Sequence, residues 1–95
     1  MEETFKPKWQ RNNAGGYSLM MWAPDNPIML HGQVAYTRPG YWRGVADVFK
    51  AKKGNRWVAR WLAHEGLHIN WRQGSTLTLR EAMRLAQFMA GLHHV

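Results

Sequence analysis

Hydrophobic and polar residues alternate with a period near two as far as Phe49, then recur with a helical period after Thr78. Lys8 to Arg11 and Tyr17 to Trp22 flank Asn12-Asn13-Ala14-Gly15-Gly16. Asn and Gly supply the positive φ of a tight turn, so a hairpin is expected there. Ala23-Pro24-Asp25-Asn26-Pro27 reads as a turn, its prolines having no N–H for a ladder. Ile28 to Tyr36 predicts a third strand with Gly32 as a bulge, and Pro39-Gly40 within Thr37-Arg38-Pro39-Gly40 predicts a type II turn. Tyr41 to Phe49 predicts a fourth strand, with Trp42, Gly44, Ala46 and Val48 on one side and Arg43, Val45 and Asp47 on the other.

The last element is a helix opened by Thr78-Leu79-Arg80-Glu81, a capping box in which the Thr oxygen takes a first-turn amide and Glu81 reaches back. Leu79, Ala82, Met83, Ala86, Met89 and Ala90 form its apolar stripe, and Arg80, Arg84, Gln87 and Gly91 its solvated side. Gly91 followed by Leu92 suits a left-handed C-terminal cap. These elements make an α+β protein: a small antiparallel sheet of about four to six strands with one C-terminal helix packed on one face. A short tail, residues 1–7, precedes a single domain, residues 8–95, because 95 residues leave no room for two cores.

Between Gly54 and Arg72 the pattern supports two readings. With period two, Trp57, Ala59 and Trp61 point one way and Arg56, Val58 and Arg60 the other. After a junction at His64-Glu65-Gly66, Leu67, Ile69 and Trp71 alternate with His68, Asn70 and Arg72. With period 3.6, the same stretch is a helix presenting His64-Glu65-Gly66-Leu67-His68, the zinc-hydrolase pattern H-E-x-x-H.

Charge and composition favour the first reading. Thirteen Lys and Arg against six Asp and Glu leave a net charge of +7, which favours polyanionic partners. If the helix covers the tryptophan side of the sheet, Arg43, Arg56, Arg60, His68 and Arg72 gather on the opposite side, with Lys50, Lys52 and Lys53 at the rim. A sheet face of that kind suits phosphates or a major groove. Nucleic acid is therefore the expected partner, in a non-catalytic role that needs no cofactor. A protein partner is the alternative, since aromatic residues and Arg also serve protein interfaces. The absence of cysteine suits a reducing compartment. No apolar run approaches a membrane span and the acidic Glu2-Glu3 start is unlike a signal peptide, so a cytoplasmic location without membrane contact is expected.

Gly54-Asn55-Arg56-Trp57-Val58-Ala59-Arg60, a second short strand, and Thr78 to Ala86 together resemble the strand–strand–helix layout of AP2-type DNA-binding domains. The arm-binding domains of phage integrases are similar in layout, as are small phage proteins with the same W-x-A…T-x-x-E-A spacing. The resemblance covers roughly the C-terminal half, and the Leu-Gly-Thr-Phe run of those families is replaced by Asn70 to Ser75. It implies DNA contact through Arg43, Arg56, Trp57 and Arg60. For a phage accessory protein it implies a host or viral protein partner, in the host cytoplasm.

The helical reading instead resembles the zincin metalloproteases, with His64 and His68 as zinc ligands and Glu65 as general base. Its third ligand has no standard place, Glu81, His93 and His94 being the remaining candidates. Asp25 and Asp47 read as turn and edge residues, His31 as a strand residue, and His93-His94 as a frayed terminus. The methionines at 20, 21, 29, 83 and 89 are expected to fill core gaps.

Overall fold

The structure, a computed structural model, describes residues 5–92. Among the described residues the strands are β1 (Lys8–Arg11), β2 (Tyr17–Ala23), β3 (Asn26–Leu30), β4 (Gln33–Arg38), β5 (Tyr41–Lys50), β6 (Trp57–Glu65) and β7 (His68–Thr76), followed by helix α1 (Leu79–Met89). Five form an antiparallel sheet in the order β1-β2-β5-β6-β7, α1 lies across one face of it, and β3 and β4 form a separate pair. The α+β expectation holds, and the stretch that also read as a helix is two strands, β6 and β7, joined by a turn at Gly66-Leu67.

The β1–β2 turn closes as its residues dictate. Asn12 Oδ1 accepts the Ala14 and Gly16 amides, each at 3.0 Å, and Gly15 takes φ 79°. Helix α1 begins at Thr78, whose hydroxyl oxygen accepts the Glu81 amide at 3.1 Å while donating to Glu81 Oε1 at 2.9 Å. It ends in a Schellman arrangement: Leu92 N–H reaches Gln87 O at 2.9 Å, Gly91 N–H reaches Phe88 O at 3.0 Å, and Gly91 has φ 80°.

Three expectations need correction. The third strand is in fact a hairpin: β3 and β4 pair with each other about His31-Gly32, whose φ values are 53° and 76°. Two successive positive φ values make a two-residue hairpin turn, and a histidine in the first place hid it. Pro39-Gly40 is not a type II turn, because Gly40 does not take positive φ. Gly40 is required for space instead, since a Cβ there would overlap the Trp22 ring. Finally, β5 carries a bulge at Val45: Leu19 pairs with Ala46, but Met20 pairs with Gly44. Trp42 and Gly44 therefore lie on the side opposite Ala46 and Val48, and Val45 is buried in the core.

The core lies between α1 and the sheet, and it is small: Leu19, Val45, Ala46, Val48, Ala59, Trp61, Ala82 and Ala86. Alanines on both sides let the helix approach closely. Of six Trp, three Tyr and three Phe, all within the described residues, only Trp61 is buried. Met29 and Met89 are exposed rather than filling gaps, and Gln87, expected in solvent, is half-buried and accepts a hydrogen bond from Trp9 Nε1 at 3.2 Å. Trp9, Tyr17 and Trp57 are partly buried against the core, and the remaining rings lie outside it. No helix among the described residues is long and apolar enough to cross a membrane.

Candidate functional site

Turn length decides which side chains share a face. Glu65 pairs with His68, leaving Gly66-Leu67 as a two-residue loop, with Gly66 at φ 64°. Odd positions of β6 therefore sit opposite even positions of β7. Trp57, Ala59, Trp61, Ala63 and Glu65 share the helix side with Thr76, Gly74, Arg72, Asn70 and His68, while Arg60 and Leu62 share the open side with Gln73 and Trp71. The expected arrangement, with Trp71 beneath the helix and Arg72 and His68 beside Arg60, is inverted in β7.

The eight expected cationic residues do not form one patch. Arg60 is on the open side, held by Asp47 through Nε–Oδ1 at 2.9 Å and Nη2–Oδ2 at 2.6 Å. That hydrogen bond raises the guanidinium's pKa further, against the opposing effect of partial burial. Arg56 donates to Ser75 Oγ at 3.0 Å and Ser75 O at 3.2 Å. Arg72 and His68 lie on the helix side near the β6–β7 tip, where Arg72 Nη2 contacts both Glu65 carboxylate oxygens, at 2.8 and 2.6 Å. Arg43, shifted by the bulge, lines a slot of about 200 Å³ with Met21, Val45, Leu62, His64 and Ile69. Lys50 stacks on Trp57, its Nζ 5.4 Å from the ring centroid on the helix side, and Lys52 and Lys53 are exposed in the loop after β5.

The structure does bring together one end of the sheet. Arg11, Lys50, Lys52, Lys53 and Arg56 lie at the end holding the β1–β2 turn and the β5–β6 loop. None of them is ion-paired with a carboxylate among the described residues. No Asp or Glu occurs between Asp47 and Glu65 in the sequence, so this end is uniformly basic along β5–β6.

The open face of the sheet carries rings that the sequence reading had placed elsewhere. Trp22 and Trp42 meet edge to face at 5.5 Å, Phe5 tilts onto Trp22 at 4.8 Å, and Lys8 Nζ lies 4.3 Å from the Trp42 ring centroid. Farther across the face, the Arg60 guanidinium lies 5.4 Å from the Phe49 centroid and 5.3 Å from that of Trp71. These are cation–π distances. Trp71 is 49% exposed, and no helix or strand among the described residues covers this side. The bulge at Val45 and the two-residue loop at Gly66-Leu67 together put Trp42 and Trp71 there. Of the positions implied by the AP2-like layout, Arg56 and Arg60 are on this side, Trp57 is under the helix, and Arg43 is in the slot.

The H-E-x-x-H reading fails on the backbone. His64 and Glu65 end β6 and His68 begins β7, so the two histidines point to opposite sides of the sheet and share no helical face. No group of three His, Cys, Asp or Glu among the described residues is arranged to hold a metal ion. His93 and His94 lie outside the described residues, as do positions 1–4 of the expected tail. Glu65 is engaged by Arg72 first and by Asn70 second, at 2.9 Å, and both hold its carboxyl below the usual glutamate range, whereas a general base near neutrality needs the opposite.

A folded-state pKa below the unfolded one gives an interaction that is complete above the ordinary glutamate range and lost as pH falls through the lower folded value. The Asn70 side-chain amide signals are therefore expected to hold steady through the ordinary range and shift only in stronger acid. The Arg72→Gln variant should move that transition upward. A wild-type transition at the usual glutamate value would contradict the Arg72 contact.

Compared with known proteins, the chain matches no family model, no curated protein and no solved structure.

Proposed function

We propose that this protein is a non-catalytic nucleic-acid-binding module that holds single-stranded DNA or RNA against the open face of its five-stranded sheet. The observation that carries the reading is that face itself: half-buried and exposed rings on an uncovered sheet, with Lys8 and Arg60 stacked on them. Bases stack on exposed aromatic rings regardless of sequence, while cations follow the backbone. Trp71 is the most accessible of the tryptophans on this side and takes a base. Lys50, Lys52, Lys53 and Arg56 at the basic end, none of them ion-paired with a carboxylate among the described residues, meet phosphates. Asp47 neutralises Arg60, which therefore serves to orient Trp71 and Phe49 more than to bind phosphate.

The test is tryptophan fluorescence titration with oligothymidylate and with a duplex of equal length, at several salt concentrations. Single strands are expected to quench the fluorescence and bind more tightly than the duplex. Log affinity should fall with log salt at a slope of roughly −2 to −3, from about three to four phosphates neutralised. Trp71→Ala is expected to weaken binding by about 10- to 100-fold, the loss of one stacked base. Absence of binding to either oligonucleotide at low salt defeats the reading.

A further inference from the structure

The five-stranded sheet forks at one end, and the fork has no assigned role. The β5–β6 ladder stops at Ala46–Trp61. Beyond that point β5 runs back to Tyr41 paired with β2 alone, and β6 runs on to Glu65 paired with β7 alone. The local cause is the bulge at Val45, which shifts the register of β5 and bends the strand. β6 keeps an unbroken register with β7, so its inner edge from Leu62 to Glu65 is regular and has no strand partner among the described residues. In an antiparallel strand, successive residues turn their N–H and C=O to opposite sides. Two of these four residues therefore present both groups to the fork rather than to β7. β5 does not close over them, because its own pairs with β2 run from Met20–Gly44 to Ala23–Tyr41.

A slot of about 200 Å³ lies at the foot of the fork. Met21, Val45 and Ala90 reach it from the helix side and Leu62 and Ile69 from the open side, so it sits where the sheet parts. Val45 is buried, whereas Arg43 and His64 are exposed, which makes the slot apolar within and places those two side chains at its mouth. Neither has a carboxylate partner among the described residues. The slot is smaller than the roughly 300–1,000 Å³ of drug-sized ligand pockets and suits a single aliphatic side chain.

We infer that the fork receives an extended segment of another protein, which adds as a strand to the Leu62–Glu65 edge, seats one aliphatic side chain in the slot and sets an Asp or Glu carboxylate against Arg43. Three independent features select this occupant. A free strand edge offers donors and acceptors at the spacing of a polypeptide, about 3.3 Å per residue, and another strand completes it. The slot supplies the side-chain pocket that gives such an added strand its specificity. An Arg with no carboxylate partner at the mouth matches a carboxylate in charge and fork geometry, and the net charge of +7 draws acidic segments from a distance. Side chains two apart along a strand share a face, so the aliphatic and acidic residues of the guest stand at i and i+2.

The probe is the capped peptide Leu-Thr-Glu-Thr-Leu-Thr-Glu-Thr, with leucine and glutamate on one face and threonine on the other, titrated into the isotope-labelled full chain. Amide shifts are expected to concentrate on Arg43 and on Leu62 to Glu65, and alternate amides of that edge should gain protection against hydrogen exchange. Arg43→Glu should weaken binding by about tenfold or more, the loss of a charge-assisted contact, with unchanged far-UV circular dichroism. A peptide with lysine in place of glutamate should bind that variant better than it binds the parent chain. No binding at about 1 mM peptide overturns the inference. So do shifts concentrated on the outer edge of β1 or β7, or an Arg43→Glu affinity equal to the parent's. The titration contains no nucleic acid, and Arg43 takes no part in the proposed oligonucleotide contact, so either reading can fail alone.

Discussion

Gly16→Ala is expected to cost about 3 kcal/mol or more, lowering the melting temperature by more than about 10 °C, the response of a domain this small. The cause is close approach rather than conformational freedom. Gly16 is buried, and a Cβ on it would overlap the Val48 carbonyl oxygen with the backbone of Phe49 just behind. Neither side has room to yield. Gly16 is held by its amide to Asn12 Oδ1 and by its carbonyl to the Asn12 amide, each at 3.0 Å, while the next residue, Tyr17, pairs with both Arg11 and Val48. Relief requires opening the β2–β5 pairing at the point where Val48, fully buried, anchors the core. The adjacent glycine is the control. Gly15 has φ 79° but open space around its Cα, so Gly15→Ala carries only the left-handed strain of about 1 kcal/mol. Denaturant titration of both variants checks the contrast, and equal losses would show that the crowding at Gly16 is unimportant.

Readability of the sequence followed the range of the interaction concerned. Thr78, Glu81 and Gly91 satisfy helix ends with side chains and backbone a few residues away, so the helix could be bounded from sequence alone. Asn12 closes its own turn in the same way. What failed was everything that depends on counting residues across a turn or bulge. Placing the β6–β7 junction at His64-Glu65-Gly66 keeps odd positions opposite odd ones, whereas the actual loop at Gly66-Leu67 pairs odd with even and turns over every side chain of β7. One unpaired residue, Val45, did the same to Trp42 and Arg43. The predicted arginine face therefore became a face of rings with Arg60 and Lys8 stacked on them. The basic composition of the β5–β6 loop was legible because no register enters into it. The β3–β4 hairpin was missed for another reason: His31 at φ 53° lacks the glycine or asparagine that marks such turns.

Two tryptophans in the β6–β7 hairpin separate stability from the proposed binding. Trp61 is 7% exposed and packs in the core with Ala82 and Ala86, while Gly74 stays bare on the adjoining strand because a Cβ there would crowd Leu85 and approach the Trp61 ring. Removing such a ring costs its transfer free energy plus that of the cavity left behind, about 3–5 kcal/mol for Trp→Ala. The seven other core residues are four alanines, two valines and one leucine, none large enough to fill the space. With total stability in the usual range of about 5–15 kcal/mol, and so few buried side chains, the Trp61→Ala chain is expected to be largely unfolded near body temperature. Trp71 behaves differently. It is 49% exposed on the open face, and its specific contact is the Arg60 guanidinium at 5.3 Å, a surface cation–π pair contributing about 0.5–1 kcal/mol. Trp71→Ala should therefore keep a cooperative melt within a few degrees of the parent while losing oligonucleotide affinity. Thermal unfolding and fluorescence titration of both variants decide the matter. If Trp71→Ala collapses the fold, or leaves affinity unchanged, the open face is a structural surface and the stacking role assigned to it is wrong.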